Sequence, residues 1–160
     1  MTILEVTITP EMKASATKKA EELPSLRNSI TSGQGNLVGF LGEEVAKHVL
    51  GGTLSNTYDY DLVLISGKTV DVKTKKTGVA PKPHYECSVA EYNTKQRCDY
   101  YAFVRVDEQS NRAWFLGVYG KEDYYRDAKL LKKGEVDTSN NFVVKANCYN
   151  LPIHKLQERV

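Results

Sequence analysis

The spacing of hydrophobic positions changes several times along the chain, and each change marks an element. Residues 3–8 (ILEVTI) read as a short strand. Thr9, Pro10 and Glu11 then supply an N-cap, a first-turn proline and an early acidic residue, which predicts a helix over 10–23. Its basic face carries Lys13, Lys18 and Lys19. Residues 29–36 (SITSGQGN) read as a loop, with Asn36 capping a helix over 37–50, LVGFLGEEVAKHVL, that stops at Gly51 and Gly52. With about 100° between successive residues, the apolar side of that helix centres on Leu41, Val45 and Val49. Glu43 and Glu44 fall on its two opposite borders.

Past the glycines the period shortens to two. Residues 58–76, YDYDLVLISGKTVDVKTKK, alternate around Ser66 and Gly67 and predict a β-hairpin. After a turn-rich GVAPKP come a strand in 84–89 (HYECSV) and a short helix in 90–96 (AEYNTKQ). Two strands follow over 99–106 (DYYAFVRV) and 112–120 (RAWFLGVYG), joined by the turn EQSN. Residues 121–134, KEDYYRDAKLLKKG, have a helical pattern closed by Gly134. DTSNN then reads as a loop, 142–149 (FVVKANCY) as the last strand and 151–160 as a tail. No repeat or linker interrupts this order, so the expectation is one mixed α/β domain over 1–160.

Composition narrows the class. A chain of 160 residues with 41% hydrophobic and 26% charged residues has enough apolar side chain for a sizeable core. No apolar run approaches the ~20 residues that cross a bilayer. The start, MTILEVTITPEMK, lacks the basic and apolar blocks of a signal peptide. Cys87, Cys98 and Cys148 are odd in number and widely spaced, which suits neither a disulfide framework nor a CxxC zinc site. A reduced, cytoplasmic protein without membrane contact is expected. The formal net charge of +2 implies no polyanionic partner by itself. Its distribution says more, because Lys73, Lys75, Lys76, Lys82 and His84 cluster, as do Lys129, Lys132 and Lys133. Clustered lysines suit phosphate contacts or a plain solvated surface.

The hairpin carries the candidate chemistry, because Asp59, Asp61, Asp71 and Lys73 lie inside its strands. Two turns are chemically permitted. A two-residue loop, Ser66 and Gly67, sets Asp61 opposite Val72. A three-residue loop, Ile65, Ser66 and Gly67, sets Asp61 opposite Asp71 and Asp59 opposite Lys73. In the second register two like charges face each other beside Val63, which is destabilising without a counter-charge. A lysine alone leaves a carboxylate surplus, and a divalent cation such as Mg²⁺ or Mn²⁺ resolves it. Within one strand Asp71 and Lys73 share a face about 7 Å apart. The plain alternative is an exposed hairpin whose carboxylates meet water.

These residues resemble the PD-(D/E)xK nuclease superfamily, which includes restriction enzymes, Holliday-junction resolvases and phage exonucleases. Asp61 matches the first motif's aspartate, and Asp71, Val72 and Lys73 match the (D/E)xK motif. GFLGEEVAKHVL resembles the preceding helix, which in many members supplies a glutamate after a glycine. Tyr60 stands where the family has its nominal proline. The resemblance implies a restriction-endonuclease-like core, a central mixed β-sheet flanked by helices, with its motif core at about 37–106. It also implies Mg²⁺-dependent hydrolysis of DNA phosphodiester bonds. Asp61, Asp71, the Val72 carbonyl and Glu43 would hold the metal, and Lys73 would orient water or stabilise the transition state. Family spacing favours Glu43 over Glu44. Lys75, Lys76 and Lys82 would track DNA phosphates, and Gln96 falls where relatives often place a further polar site residue.

So short a chain is expected to dimerise to handle two strands, or to act on ends, junctions or single strands. Its size suits a phage or mobile element. The competing readings are a non-catalytic nucleic-acid-binding or structural protein that keeps the fold, and an unrelated acidic interaction surface. Tyr58, Tyr60, Tyr100 and Tyr101 could stack on unpaired bases but are expected to pack on the sheet. His48, His84 and His154 lack metal-ligand spacing, and the cysteines are expected in the interior. Ser29, Ser32 and the nearby glycines form no phosphate loop with a lysine.

Overall fold

A computed structural model describes residues 2–22, 34–55, 57–137 and 141–160, with the backbone alone at 34–36. The first strand, β1 (Leu4–Thr7), runs into α1 (Pro10–Glu22), and Thr9 caps that helix by accepting a hydrogen bond from the Met12 N–H at 3.2 Å. The second helix, α2, spans Gln34–Leu50, so Asn36 lies inside its first turn rather than at its cap. Most of the loop expected at 29–36 lies outside the described residues.

The strands β2 (Thr53–Leu54), β3 (Leu62–Val63), β4 (Thr69–Lys76), β6 (Tyr100–Asp107) and β7 (Arg112–Gly120) join β1 in a six-stranded sheet. Its order is β1-β7-β6-β4-β3-β2, and only β4 and β6 pair in parallel. The crossover between that pair contains β5 (Glu86–Ala90) and a 3-10 turn, Glu91–Lys95. This is the mixed α/β class the sequence pattern predicts.

The two sheet faces bury separate cores. Val70, Val104, Val106, Phe115 and Val118 pack with Leu41 and Val45 of α2. Tyr101, Phe103, Trp114 and Leu116 face the opposite way, against Leu151, Ile153 and Tyr124. Alternation along β4 therefore points Val70 toward the helix layer and Asp71 and Lys73 away from it. Gly42 lets α2 approach the sheet closely. A Cβ on it would stand 1.8 Å from Thr74 Oγ1. Gly42→Ala is expected to destabilise the protein by about 1–3 kcal/mol through overpacking, even though alanine is the better helix former. Urea titration checks this, and an unchanged midpoint would show that α2 tolerates a wider spacing.

Several expectations for the C-terminal third need correction. The helix predicted over 121–134 ends early: α3 is Lys121–Asp127, Ala128 is extended, and β8 (Lys129–Leu131) follows. Pairing with β11 (Cys148–Pro152) buries Leu131 and overrides local helix propensity. The strand predicted over 142–149 is split into β10 (Phe142–Val143), which pairs with β9 (Val136–Asp137), and β11. Asn147 lies at the break, where its side chain accepts from the Lys133 N–H and donates to Glu91. Residues 138–140 of the expected DTSNN loop lie outside the described residues. The predicted tail is packed instead. Leu151, Ile153 and Leu156 are buried, a 3-10 turn forms at Ile153–Lys155, and Val118 and Gln157 exchange two backbone hydrogen bonds of 2.7 and 2.8 Å. Among the described residues, no helix is long and apolar enough to cross a membrane.

Candidate active site

Of the two hairpin registers that the sequence permits, the protein uses the three-residue loop. Leu62 pairs with Val70, Val63 with Thr69, and Leu64 donates to the Lys68 carbonyl at 2.9 Å. Ile65 and Ser66 are the exposed apex, and Gly67 takes the left-handed conformation at φ +89° that closes such a turn. The same register brings Asp61 beside Asp71. The paired strand is shorter than expected, however, and stops at Leu62. Asp59 therefore does not oppose Lys73; its Oδ1 accepts from the Arg97 N–H at 2.9 Å.

Asp61 lies just beyond the end of β3, where its Oδ2 accepts from the Val72 N–H at 2.8 Å. A strand residue presents its N–H and C=O on the same side, so the Val72 carbonyl also faces Asp61. Asp71 is buried, and Lys73 Nζ lies 2.8 Å from its Oδ2. That contact is an ion pair, and the ammonium, which has three donors, also gives a hydrogen bond to Gln96 Oε1 at 3.0 Å. Gln96 is itself buried, and its amide donates to the Tyr58 carbonyl at 2.9 Å and to Asp71 Oδ1 at 3.3 Å. Its backbone carbonyl accepts from Lys121. Lys73 also lies over the Tyr101 ring, 5.4 Å from the centroid. The lysine is thus clamped on three sides.

The two candidate glutamates separate by neighbour. Glu44 accepts from Ser15 Oγ at 2.7 Å and lies 3.8 Å from Lys19, so it serves the contact between α1 and α2. Glu43 is buried beside the aspartates, and its Oε1 has no hydrogen-bond partner. Burial, then the nearby Asp61 charge, pushes the Glu43 carboxyl up to about 8. Burial and the Asp71 carboxylate push Asp61 up to about 7.

The described residues hold no three His, Cys, Asp or Glu side chains already spaced to grip a metal. The donor chemistry nevertheless fits a hard divalent cation. Three mutually repelling carboxylates adjoin, Glu43 Oε1 is buried without a hydrogen-bond donor, and Asp71 Oδ2 has the Lys73 ammonium as its counter-charge. Burial pushes the Cys87 and Cys98 thiols up to about 12, so both are neutral in the metal-free protein.

The expected phosphate-binding lysines disperse. Lys75 follows Lys73 on the same face and borders a cavity with Arg105. Lys76 points elsewhere, 3.8 Å from Glu108. Lys82 is an exposed turn residue whose carbonyl accepts from Tyr85. Of the tyrosines, Tyr101 is fully buried, Tyr100 and Tyr60 are half-buried, and Tyr58 is exposed. The sequence pattern did not single out Arg105 or Lys121. Their roles depend on pairings between distant segments, so no local signal marks them. No protein-family model matches the chain, and neither does any curated protein sequence.

Proposed function

We propose that this protein is a metal-dependent nuclease that hydrolyses DNA phosphodiester bonds, built on a restriction-endonuclease-like core. The observation that carries the reading is the crowding of the buried Glu43, Asp61 and Asp71 carboxylates, one with an unsatisfied oxygen, beside a Lys73 that Asp71 and Gln96 clamp. In a structural hairpin such a cluster is a net cost, because crowding buried carboxylates together destabilises the fold. A bound Mg²⁺ would take these oxygens as ligands, neutralise charge growing on the phosphoryl group and acidify its bound water. Asp61, Asp71, Glu43 and the Val72 carbonyl are the residues that would hold it.

The chain's own groups do the rest. Lys73 Nζ, fixed by Gln96 and Asp71, keeps a donor at the place where the phosphoryl oxygens gain charge. The Val72 N–H holds Asp61 in one orientation, which preorganises its free oxygen. The parallel pairing of β4 and β6 sets Lys73 beside Phe103, on a wall that excludes water from one side.

The direct test incubates purified protein with single-stranded, duplex, flapped and four-way DNA, in Mg²⁺ or in chelator. Cleavage of at least one substrate in Mg²⁺ and none in chelator is expected. Calorimetry with Mn²⁺ should show binding that Asp71→Ala removes. No cleavage together with no Mn²⁺ heat would overturn the reading. Binding without cleavage in either condition would instead identify a non-catalytic relative.

A further inference from the structure

A second charged pair lies one strand step beyond Lys73. In the parallel ladder Lys75 is the direct partner of Arg105, so two cations sit side by side on one face. Like charges placed this way repel across a sheet and call for a counter-ion. Lys75 is exposed near the end of its strand, whereas Arg105 is withdrawn from solvent. Arg105 is 6% exposed, and after burial the group that most perturbs Lys75 is Arg105 itself rather than any carboxylate. Arg105 is held by one bond to the Glu86 carbonyl at 3.1 Å and by the Tyr85 ring, 5.4 Å from its centroid. Its other N–H groups remain available to a ligand.

Both cations border a cavity of about 650 Å³ that is also lined by His84, Tyr85 and Asn150. A smaller cavity of about 260 Å³ shares Lys75 and Arg105 with it and reaches Lys73. The larger cavity is of nucleotide size and adjoins, across Lys75 and Arg105, the smaller one that the candidate catalytic lysine lines. Tyr85 supplies an aromatic wall, with His84 edge-on at 4.9 Å. Asn150 Oδ1 is buried there without a donor. An inorganic anion would satisfy the cations but leave that oxygen unpaired, whereas the exocyclic amine of a base could supply the missing N–H. Glu86 and Asp137 also border the chamber, yet neither is among the groups that perturb Lys75 or Arg105.

We infer that this chamber is a nucleotide subsite: Lys75 and Arg105 take the phosphate next to the scissile one, and its unpaired base enters between Tyr85 and Asn150. The inference rests on the nuclease reading and sharpens it, because a base held in a duplex cannot enter. The substrate class is then single-stranded nucleic acid, or a strand unpaired at an end or junction.

Fluorescence anisotropy in chelator tests this without cleavage, using a labelled 12-nucleotide single strand and the matching duplex. The single strand is expected to bind more tightly. Lys75→Gln should weaken it about tenfold and reduce the slope of log K against log salt by about one. Tyr85→Ala should weaken the single strand about tenfold and leave the duplex unchanged. On the unaltered protein, deoxycytidine monophosphate should raise the melting temperature more than inorganic phosphate does. Wild-type affinity in both variants, or equal losses for strand and duplex, would overturn the subsite. So would equal shifts from nucleotide and phosphate. Metal-dependent cleavage is scored separately. Cleavage with unaltered binding in the variants removes the subsite alone, and binding losses in a protein that never cuts remove the nuclease reading alone.

Discussion

Lys73→Ala is expected to lower metal-dependent DNA cleavage by about 10²–10⁴-fold, the range for losing a positioned proton-transfer or charge-stabilising group. Mn²⁺ affinity should stay the same or rise, because the ammonium 2.8 Å from Asp71 Oδ2 competes with a cation for that oxygen. Asp71→Ala should behave differently and lose both cleavage and metal. The contrast separates a group that acts on the phosphoryl from one that holds the ion. Single-turnover rates at saturating Mn²⁺, with calorimetry on the same samples, distinguish them. A Lys73→Ala protein that cuts at the wild-type rate would remove the lysine from the mechanism. The clamp also predicts that Lys73→Arg is no rescue, since a larger, delocalised guanidinium replaces the compact ammonium that lies 2.8 Å from Asp71 Oδ2 and 3.0 Å from Gln96 Oε1.

The second large effect is on stability, and it holds whatever the substrate. Without metal, Glu43 and Asp61 bind protons more tightly in the folded protein than in the unfolded chain, where carboxylates titrate near 4. Between those limits the native state holds more protons than the unfolded state, so stability falls as pH rises. The stabilisation is complete below about pH 4 and is lost as pH passes through about 7 for Asp61 and about 8 for Glu43. Either group alone accounts for at most about 4–5 kcal/mol, and their mutual repulsion prevents simple addition. Glu43→Gln removes one of the charges and is expected to raise the melting temperature at pH 8.5 by roughly 5 °C or more, with little change at pH 5. Thermal melts of both proteins across pH 5 to 9 in chelator check this. A wild-type curve that is flat, or that rises with pH, would show that these carboxylates are already ionised. Mn²⁺ should stabilise the protein most above about pH 8, where both carboxylates are ionised, and at lower pH its binding should release protons, seen as calorimetric heats that vary with the buffer's ionisation enthalpy.

Much of the fold was legible because it is encoded locally. Thr9 and Pro10 mark the start of α1, Gly51 and Gly52 the end of α2, and the strands expected at 99–106 and 112–120 match β6 and β7 nearly to the residue. Reading failed where distant strands overrule local preference. Leu130 and Leu131 sit in a helical pattern, but pairing with β11 draws them into a strand. Residues 151–160 look like a polar end, but Ile153 and Leu156 complete the core against Trp114 and Leu116. These are contacts across large sequence separations, invisible to any window of neighbours.

The candidate site divides along the same line. The sequence by itself determined which residue types share the hairpin: Asp61, Asp71 and Lys73 at a strand's spacing, with turn chemistry limiting the register to two choices. Only the tertiary structure decided between them. The three-residue turn places Asp61 beside Asp71, and the packing of α2 on the sheet buries Glu43 where their charges reach it while Ser15 and Lys19 occupy Glu44. It also brought Gln96 onto Lys73 and Arg105 beside Lys75 through the parallel pairing of β4 with β6. The physical reason is that turn and strand preferences act over a few bonds. Burial and like-charge repulsion, which give these carboxylates and cations their chemical meaning, arise only when remote segments pack together.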